Sequence, residues 1–362
     1  MPAARLRSVV SSALVGAGFV PVWLATAALL VIALAIAPDT LKSDSLSSAV
    51  LPFTSFLAIA ALGQMLVIMT GGIDLSVPGT IAIVAHLVVG VSGSSNGKLA
   101  TAILACVGWA ALIGLVNGVL VSVLRLNALI VTLAVGQIVL GITIQYSSGI
   151  ANESAVPSSL STWATNEWLG VSWLFWMGVF ITIVLALVLR GTSVGRRFQA
   201  VGANPRTAWI MGIHVRSYVA SAYVAASVLY ATAGILLAAL IRSPTLDLGD
   251  PYLLGPIAAV VIGGASLAGG LASVTSTWAA AFGLTLLSQM LRVLGLSTAL
   301  QFVVFGVAIM AGMVISGDRI VGALGGVLQR PAVRRRLGAG EAEEGRELKG
   351  LAIDLPIDGQ GG

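Results

Sequence analysis

The chain has 362 residues, 57% of them hydrophobic and 9% charged, where an ordinary soluble domain carries about 25% charged residues. That composition excludes a soluble globular domain and points to an all-α polytopic membrane protein; the 43 glycines agree with this, because glycine is commoner in membrane helices than in soluble ones. The formal net charge of +5 lies beside apolar runs, where it speaks of membrane topology rather than nucleic-acid binding.

Residues 1–18 form a basic, mildly apolar lead-in. They resemble a signal peptide in charge, but no small-residue cleavage site followed by a soluble domain comes after them. A membrane helix needs roughly 20 mostly apolar residues. On that rule the sequence predicts ten spans: 19–38, 49–69, 76–92, 99–124, 128–148, 172–189, 218–241, 255–269, 271–291 and 299–317. They make up a transmembrane domain over 19–318. The spans 76–92 and 255–269 are short, and 255–269 with 271–291 reads equally as one broken or re-entrant helix. Residues 319–362 are basic, then rich in Gly and Glu, without apolar periodicity. They read as a disordered cytoplasmic tail.

Lys and Arg in the loops set the orientation. With the N-terminus inside, Arg5, Arg7, Arg125, Arg190, Arg196, Arg197, Arg206, Arg216, Arg319, Arg330, Arg334, Arg335 and Arg336 fall on the cytoplasmic side. Lys42, Lys98, Arg242 and Arg292 fall on the other. Both termini are therefore expected in the cytoplasm, and the polar loop 149–168, with Trp163 and Trp168, outside.

Nothing in the chain reads as an energy source. "GSSNGKLAT" from Gly93 is one residue short of a phosphate loop, and Leu99 stands where Ser or Thr is needed. Apart from Tyr and Cys, the ten spans hold one ionisable side chain, His86, which reads as a hydrogen-bonded packing residue more readily than as a proton relay. The lone Cys106 can form neither an intrachain disulfide nor a multi-cysteine metal site. No metal site and no cofactor of the chain's own are expected. The work falls to a partner, or the protein is a passive pore or ion-coupled carrier.

"TGGIDLSVPG", Thr70 to Gly79, interrupts two apolar runs. Gly71 and Gly72 can break a helix, and Asp74 or Ser76 can cap the next one. The stretch is either a capped turn between spans or a broken helix lining a solute path. "VVIGGASLAGG", from Val260, repeats Gly-Gly, two residues, then Leu, with Gly263 and Gly264 opposite Gly71 and Gly72. "GLVNG", Gly114 to Gly118, is a small-xxx-small packing contact. Within the spans lie the amides Gln64, Asn117, Gln137, Gln145, Gln289 and Gln301. Most must bond across helices. Gln64, Asn117, Gln137 and Gln289 are candidates to line a path for an uncharged, hydroxylated solute.

"AVGANPRTAWIMGIHV", Ala200 to Val215, lies between two spans in a water-facing loop. Asn204 is a good N-cap, Pro205 suits the first helical position and Gly212 is a natural stop. Between them Arg206, Ala208, Trp209, Ile210 and Met211 surround a two-turn rod. Part of its apolar surface stays exposed unless a partner protein or the lipid surface covers it.

"LGQMLVIMTGGIDLSVPG" resembles the ribose-type permease subunits of bacterial ABC importers. "NALIVTLAVGQIVLG" at Asn127, "GRRFQAVGANPRTAWIMGIHV" at Gly195 and "IAAVVIGGASLAGG" at Ile257 follow in that family's order. The resemblance covers roughly residues 40 to 318. It implies a type II ABC importer-like permease in the bacterial plasma membrane that is not itself an enzyme. It implies that segment 195–215 couples to the ATPase, that ATP and Mg are bound on that partner, and that a second permease copy or paralogue completes the path. It implies an extracytoplasmic binding protein that delivers a pentose, hexose or related polyol; nucleosides or branched-chain amino acids are the alternative cargo. The sequence departs from the family at Pro78, where Gly is usual, at Leu140, where Arg is common, and in "DPYLLGPIAAV", which lacks an acidic residue just before Ile-Ala-Ala-Val.

Overall fold

A computed structural model describes residues 20–150, 154–270, 272–297, 299, 300, 302–304, 306, 307 and 310. The lead-in 1–18, the tail 319–362 and most of the expected span 299–317 lie outside the described residues. Among the described residues the elements are helices, apart from one short hairpin in which Glu167–Trp168 pairs antiparallel with Val171–Ser172.

The helices are α1 (Val20–Ile36), α2 (Leu51–Met69), α3 (Val77–Ser92), α4 (Leu99–Ser122), α5 (Ala128–Ser147) and α6 (Ser158–Thr165). They continue as α7 (Trp173–Gly191), α8 (Ser193–Ala203), α9 (Pro205–Ile210), α10 (Val215–Ile241), α11 (Gly255–Ile262) and α12 (Val274–Val293). Among the described residues, five helical stretches are long and apolar enough to cross a membrane, ending in α2, α4, α5, α7 and α10. Their starts follow local chemistry: the side chains of Asn127 and Ser172 accept the Leu129 and Leu174 N–H groups and so cap α5 and α7.

α2 is the central post. Nearly all its residues are buried, whereas α7 buries only Leu174, Gly178 and Leu189. α10 crosses α4 so closely that a Cβ on Gly114 would lie 2.5 Å from the Tyr223 carbonyl oxygen. A Cβ on Gly118 would lie 2.8 Å from Ala220. The small-xxx-small reading of Gly114 and Gly118 thus holds, since only residues without a side chain allow this approach. Cys106 is buried with its thiol 3.4 Å from the Val84 carbonyl. His86 is buried with Nδ1 2.8 Å from the Ala82 carbonyl. Both positions agree with packing roles.

The two short spans are short for a structural reason. α3 starts well inside the bundle: Gly79, in its first turn, packs on Gly136 in the middle of α5. Residues 71–76 reach that depth without helix. Residues 255–269 do not form a spanning helix. α11 has 8 residues, about 12 Å at helical rise, and a Gly-rich loop follows. Gly255 packs on Leu57 and Gly263 on Thr277, so both ends of α11 are enclosed by protein, while Leu267 and Ala268 of the loop are exposed.

Candidate functional site

The first break is held by side chains. α2 ends in a turn in which the Gly71 N–H donates to Ile68 O (2.9 Å) and the Gly72 N–H to Val67 O (3.2 Å). Gly71 has φ +83°, the left-handed value that glycine adopts without strain. The chain then turns back inward and stops at Gln64. The Gln64 amide nitrogen donates to Tyr230 OH (2.9 Å) and Asp74 O (3.0 Å), while its carbonyl accepts the Asp74 N–H (3.2 Å). Asp74 Oδ1 accepts from the Ser76 N–H (2.8 Å) and from Ser76 Oγ (2.6 Å). Asn117 Nδ2 donates to Ser76 Oγ (2.9 Å), and Thr132 Oγ1 accepts the Leu75 N–H (2.9 Å).

Gln64, Asp74, Ser76, Asn117 and Thr132 are all fully buried. The break is thus a re-entrant segment knotted to α2, α4, α5 and α10, and not a solvated turn between two spans. Asp74 serves it by bracing Ser76. Ser76 is the N-cap residue of α3 by position, but its side chain bonds Asp74 and not the helix. No Lys, Arg or His is among the hydrogen-bond partners of Asp74. Asp74 Oδ2, Asn117 Oδ1 and Tyr223 OH have no partner among the described residues.

The second break ends on the same turn, shifted by one residue against the sequence repeat. Gly264, with φ +84°, donates to Val261 O (2.9 Å), and the Ala265 N–H donates to Val260 O (3.2 Å). Gly264 is therefore the counterpart of Gly71, Ala265 of Gly72 and Gly263 of Thr70. Aligning the Gly-Gly pairs misplaces the repeat, because backbone dihedral and not composition defines the position.

Both breaks meet the loop segment 195–215 at one end of the bundle. α8 is capped by Thr192, whose side chain accepts the Gly195 N–H. It buries Phe198, Val201 and Gly202 and leaves Arg196 and Arg197 exposed. At Gly202 there is no room for a side chain: a Cβ would lie 1.9 Å from Met69 O and 2.9 Å from Gly270 N. The Gly270 N–H itself donates to Met69 O (2.9 Å), and Gly269 packs against Gly202 O and Gly71 N. Three backbones therefore touch: the end of α2, the end of α8 and the loop after α11.

Directly after this junction, Asn204 Oδ1 accepts the Arg206 and Thr207 N–H groups (3.1 Å each) and caps α9, with Pro205 as its first residue. Gly212 closes α9 with φ +80°, and the Ile213 N–H donates to Ala208 O (3.0 Å). Ala208 is buried against the permease, while Trp209, Ile210 and Met211 are 72%, 77% and 74% exposed.

Of the four amides singled out in the sequence, Gln64, Asn117 and Gln289 are enclosed by protein. Gln137 alone is exposed, in the wall of a cavity. The structure also brings in residues that sequence patterns pass over. Tyr223 and Tyr230 come from α10 to seal the first break, and Asp250 joins Gln137 at the cavity. The sequence offers no signal for the tyrosines; an acidic residue in "DLGDPYLLG" before a short apolar run is one for Asp250.

The family described as branched-chain amino acid transport system / permease component matches residues 46–314. The Ribose import permease protein RbsC of Escherichia coli (strain K12) is 32% identical over 273 residues, 75% of this chain and 85% of that protein. The L-arabinose ABC transporter permease protein AraH of Azospirillum brasilense is 30% identical, over 74% and 78%. The Autoinducer 2 import system permease protein LsrC of Enterobacter sp. (strain 638) is 31% identical, over 82% and 85%. No solved structure matches. The chain belongs to the binding-protein-dependent permease family: it is a multi-pass, all-α permease subunit of an ABC importer, a transport component and not an enzyme.

Proposed function

We propose that this permease carries a sugar or related polyol across the bacterial plasma membrane, with both termini in the cytoplasm, and that α9 is the element that docks into the ATPase. ATP and Mg are held by that ATPase, an extracytoplasmic protein delivers the solute, and a second permease copy or paralogue faces this one across the path. The cargo rests on the relatives named for ribose and arabinose import; nucleosides and branched-chain amino acids are the rival cargo.

The observation that carries the docking role is the capped rod at 205–210. Its Ala208 is buried on the permease while Trp209, Ile210 and Met211 point away from it, each more than 70% exposed. A free helix of this length is marginal in water, so two caps and one anchored face keep it formed before a partner arrives. A central aromatic anchor is a typical hot spot, and its truncation costs about 2 kcal/mol or more of binding. Trp209→Ala should leave the permease in the membrane and release the ATPase on purification. Normal uptake with a retained ATPase would transfer α9 to the lipid surface instead.

A further inference from the structure

A cavity of ≈ 240 Å³ opens beside the first break. Its wall includes Leu75 and Pro78 from the break and the start of α3, Gln137 from α5, and Asp250 and Leu253 from the stretch between α10 and α11. Two packing contacts fix its depth. Gly249 packs on the Pro78 backbone, and Gly234 of α10 packs on Ile81. Counting down three residues from Ile81 to Pro78 and up seven from Gly234 to Ile241 puts Asp250 about 15 Å below the outer end of α10, at 1.5 Å per residue. Gln137 is the tenth of the 20 residues of α5. The amide and the carboxylate therefore sit near mid-membrane.

Both side chains are exposed, and neither has a hydrogen bond or ion pair among the described residues. Polar and ionisable groups at this depth are costly against lipid; they face a water-filled cavity or another protein. The rest of the wall is Leu, Pro, Gly and Phe302, and no Lys or Arg lines the cavity.

We propose that Gln137 and Asp250 are the mid-membrane contact site for a neutral polyhydroxylated solute. This deepens, and rests on, the sugar-import reading above. A carboxylate accepts hydrogen bonds from two neighbouring hydroxyls, and an amide both donates and accepts. The apolar wall takes the C–H face of a ring. A zwitterionic amino acid would find no cation for its carboxylate here, which separates the two cargo classes on chemistry.

The test uses the complete importer in proteoliposomes. In a Cys106→Ala background, Gln137→Cys and Asp250→Cys should react with a water-soluble methanethiosulfonate at least tenfold faster than Phe180→Cys, which lies 62% exposed on the outer face of α7. Reaction no faster than Phe180→Cys overturns the site. Uptake of radiolabelled D-ribose and L-arabinose supplies the second arm. Asp250→Leu should lower kcat/KM for the transported sugar by about 10- to 100-fold, the range for a hydrogen bond to a charged group, while the ATPase stays bound. Asp250→Asn should lose less. Wild-type uptake by Asp250→Leu overturns the proposal. Labelling of both cysteines by a reagent, with neither sugar moved by the unsubstituted importer, instead overturns the sugar reading and with it the solute class.

Discussion

The two helix breaks share a turn and then part. After Gly71 the chain re-enters the bundle and is fixed by five buried polar side chains. After Gly264 the chain stays at the bundle's end. Of its next residues, Ser266 is half-buried, Leu267 and Ala268 are exposed, and Gly269 and Gly270 take φ +97° and +92°. One break is held by side-chain hydrogen bonds, the other by backbone laid on backbone. A rigid buried polar network is suited to a fixed fulcrum. The exposed stretch of the second loop, Leu267 and Ala268, is suited to movement. Both touch the end of α8, which leads directly into α9.

The largest expected effect comes from removing what they share. Gly202→Val would drive a branched side chain into Met69 O, already 1.9 Å from a mere Cβ. No rotamer avoids a clash with backbone. Uptake should be abolished. Gly191→Ala, one helix earlier and with nothing within 4 Å of the added carbon, should transport normally. If Gly202→Val transports like Gly191→Ala, the three backbones do not act as one joint.

The next effect separates the breaks. Asp74→Leu strips an acceptor from two buried donors, the Ser76 N–H and Oγ, each costing about 1–3 kcal/mol when unsatisfied. Asp74→Asn keeps the Oδ1 acceptor and removes a charge that no cation compensates. Thermal retention of the purified permease on size exclusion should fall sharply for Asp74→Leu and stay near wild type for Asp74→Asn. Equal losses in the two variants would mean that the charge, and not the hydrogen bonds, holds the break.

How much of this was written in the sequence depends on the range of the interaction. The caps of α9 were legible, since Asn204, Pro205 and Gly212 act within a few residues of themselves. The long spans were legible from hydropathy, and the breaks from Gly-Gly and Asp. The re-entry of 71–76 was not, because it depends on Gln64, Asn117 and Tyr230, partners 10, 43 and 156 residues from Asp74. Their amides read equally well as path-lining groups until packing enclosed them. The depth of Asp74 and Asp250 was hidden for the same reason: both lie in segments that composition marks as loops. The repeat was visible, but its register needed the left-handed residue, which hydropathy does not report.

The smallest expected effect tests that register. Gly72 and Ala265 are counterparts, yet only one is glycine. A Cβ on Gly72 would lie 2.4 Å from Tyr223 OH and 3.4 Å from the ring carbon that carries it. The hydroxyl is the main obstacle to alanine here; Val67 Cγ1, at 3.3 Å, is a second and lesser one. That hydroxyl has no hydrogen-bond partner among the described residues, so Tyr223→Phe should be nearly silent. Gly72→Ala should destabilise the permease by about 1–3 kcal/mol, the usual cost of overpacking a tight core. Adding Tyr223→Phe should restore most of it, since what remains is the ring carbon at 3.4 Å and Val67 Cγ1 at 3.3 Å, which a shift of a few tenths of an ångström relieves. A double-mutant cycle on thermal stability measures this directly, with a coupling of about 1 kcal/mol or more expected for groups in contact. Additive losses would show that Gly72 is required by its own backbone. The matching turns at Gly71 and Gly264 would then have to differ in conformation one residue later, where Ala265 is tolerated.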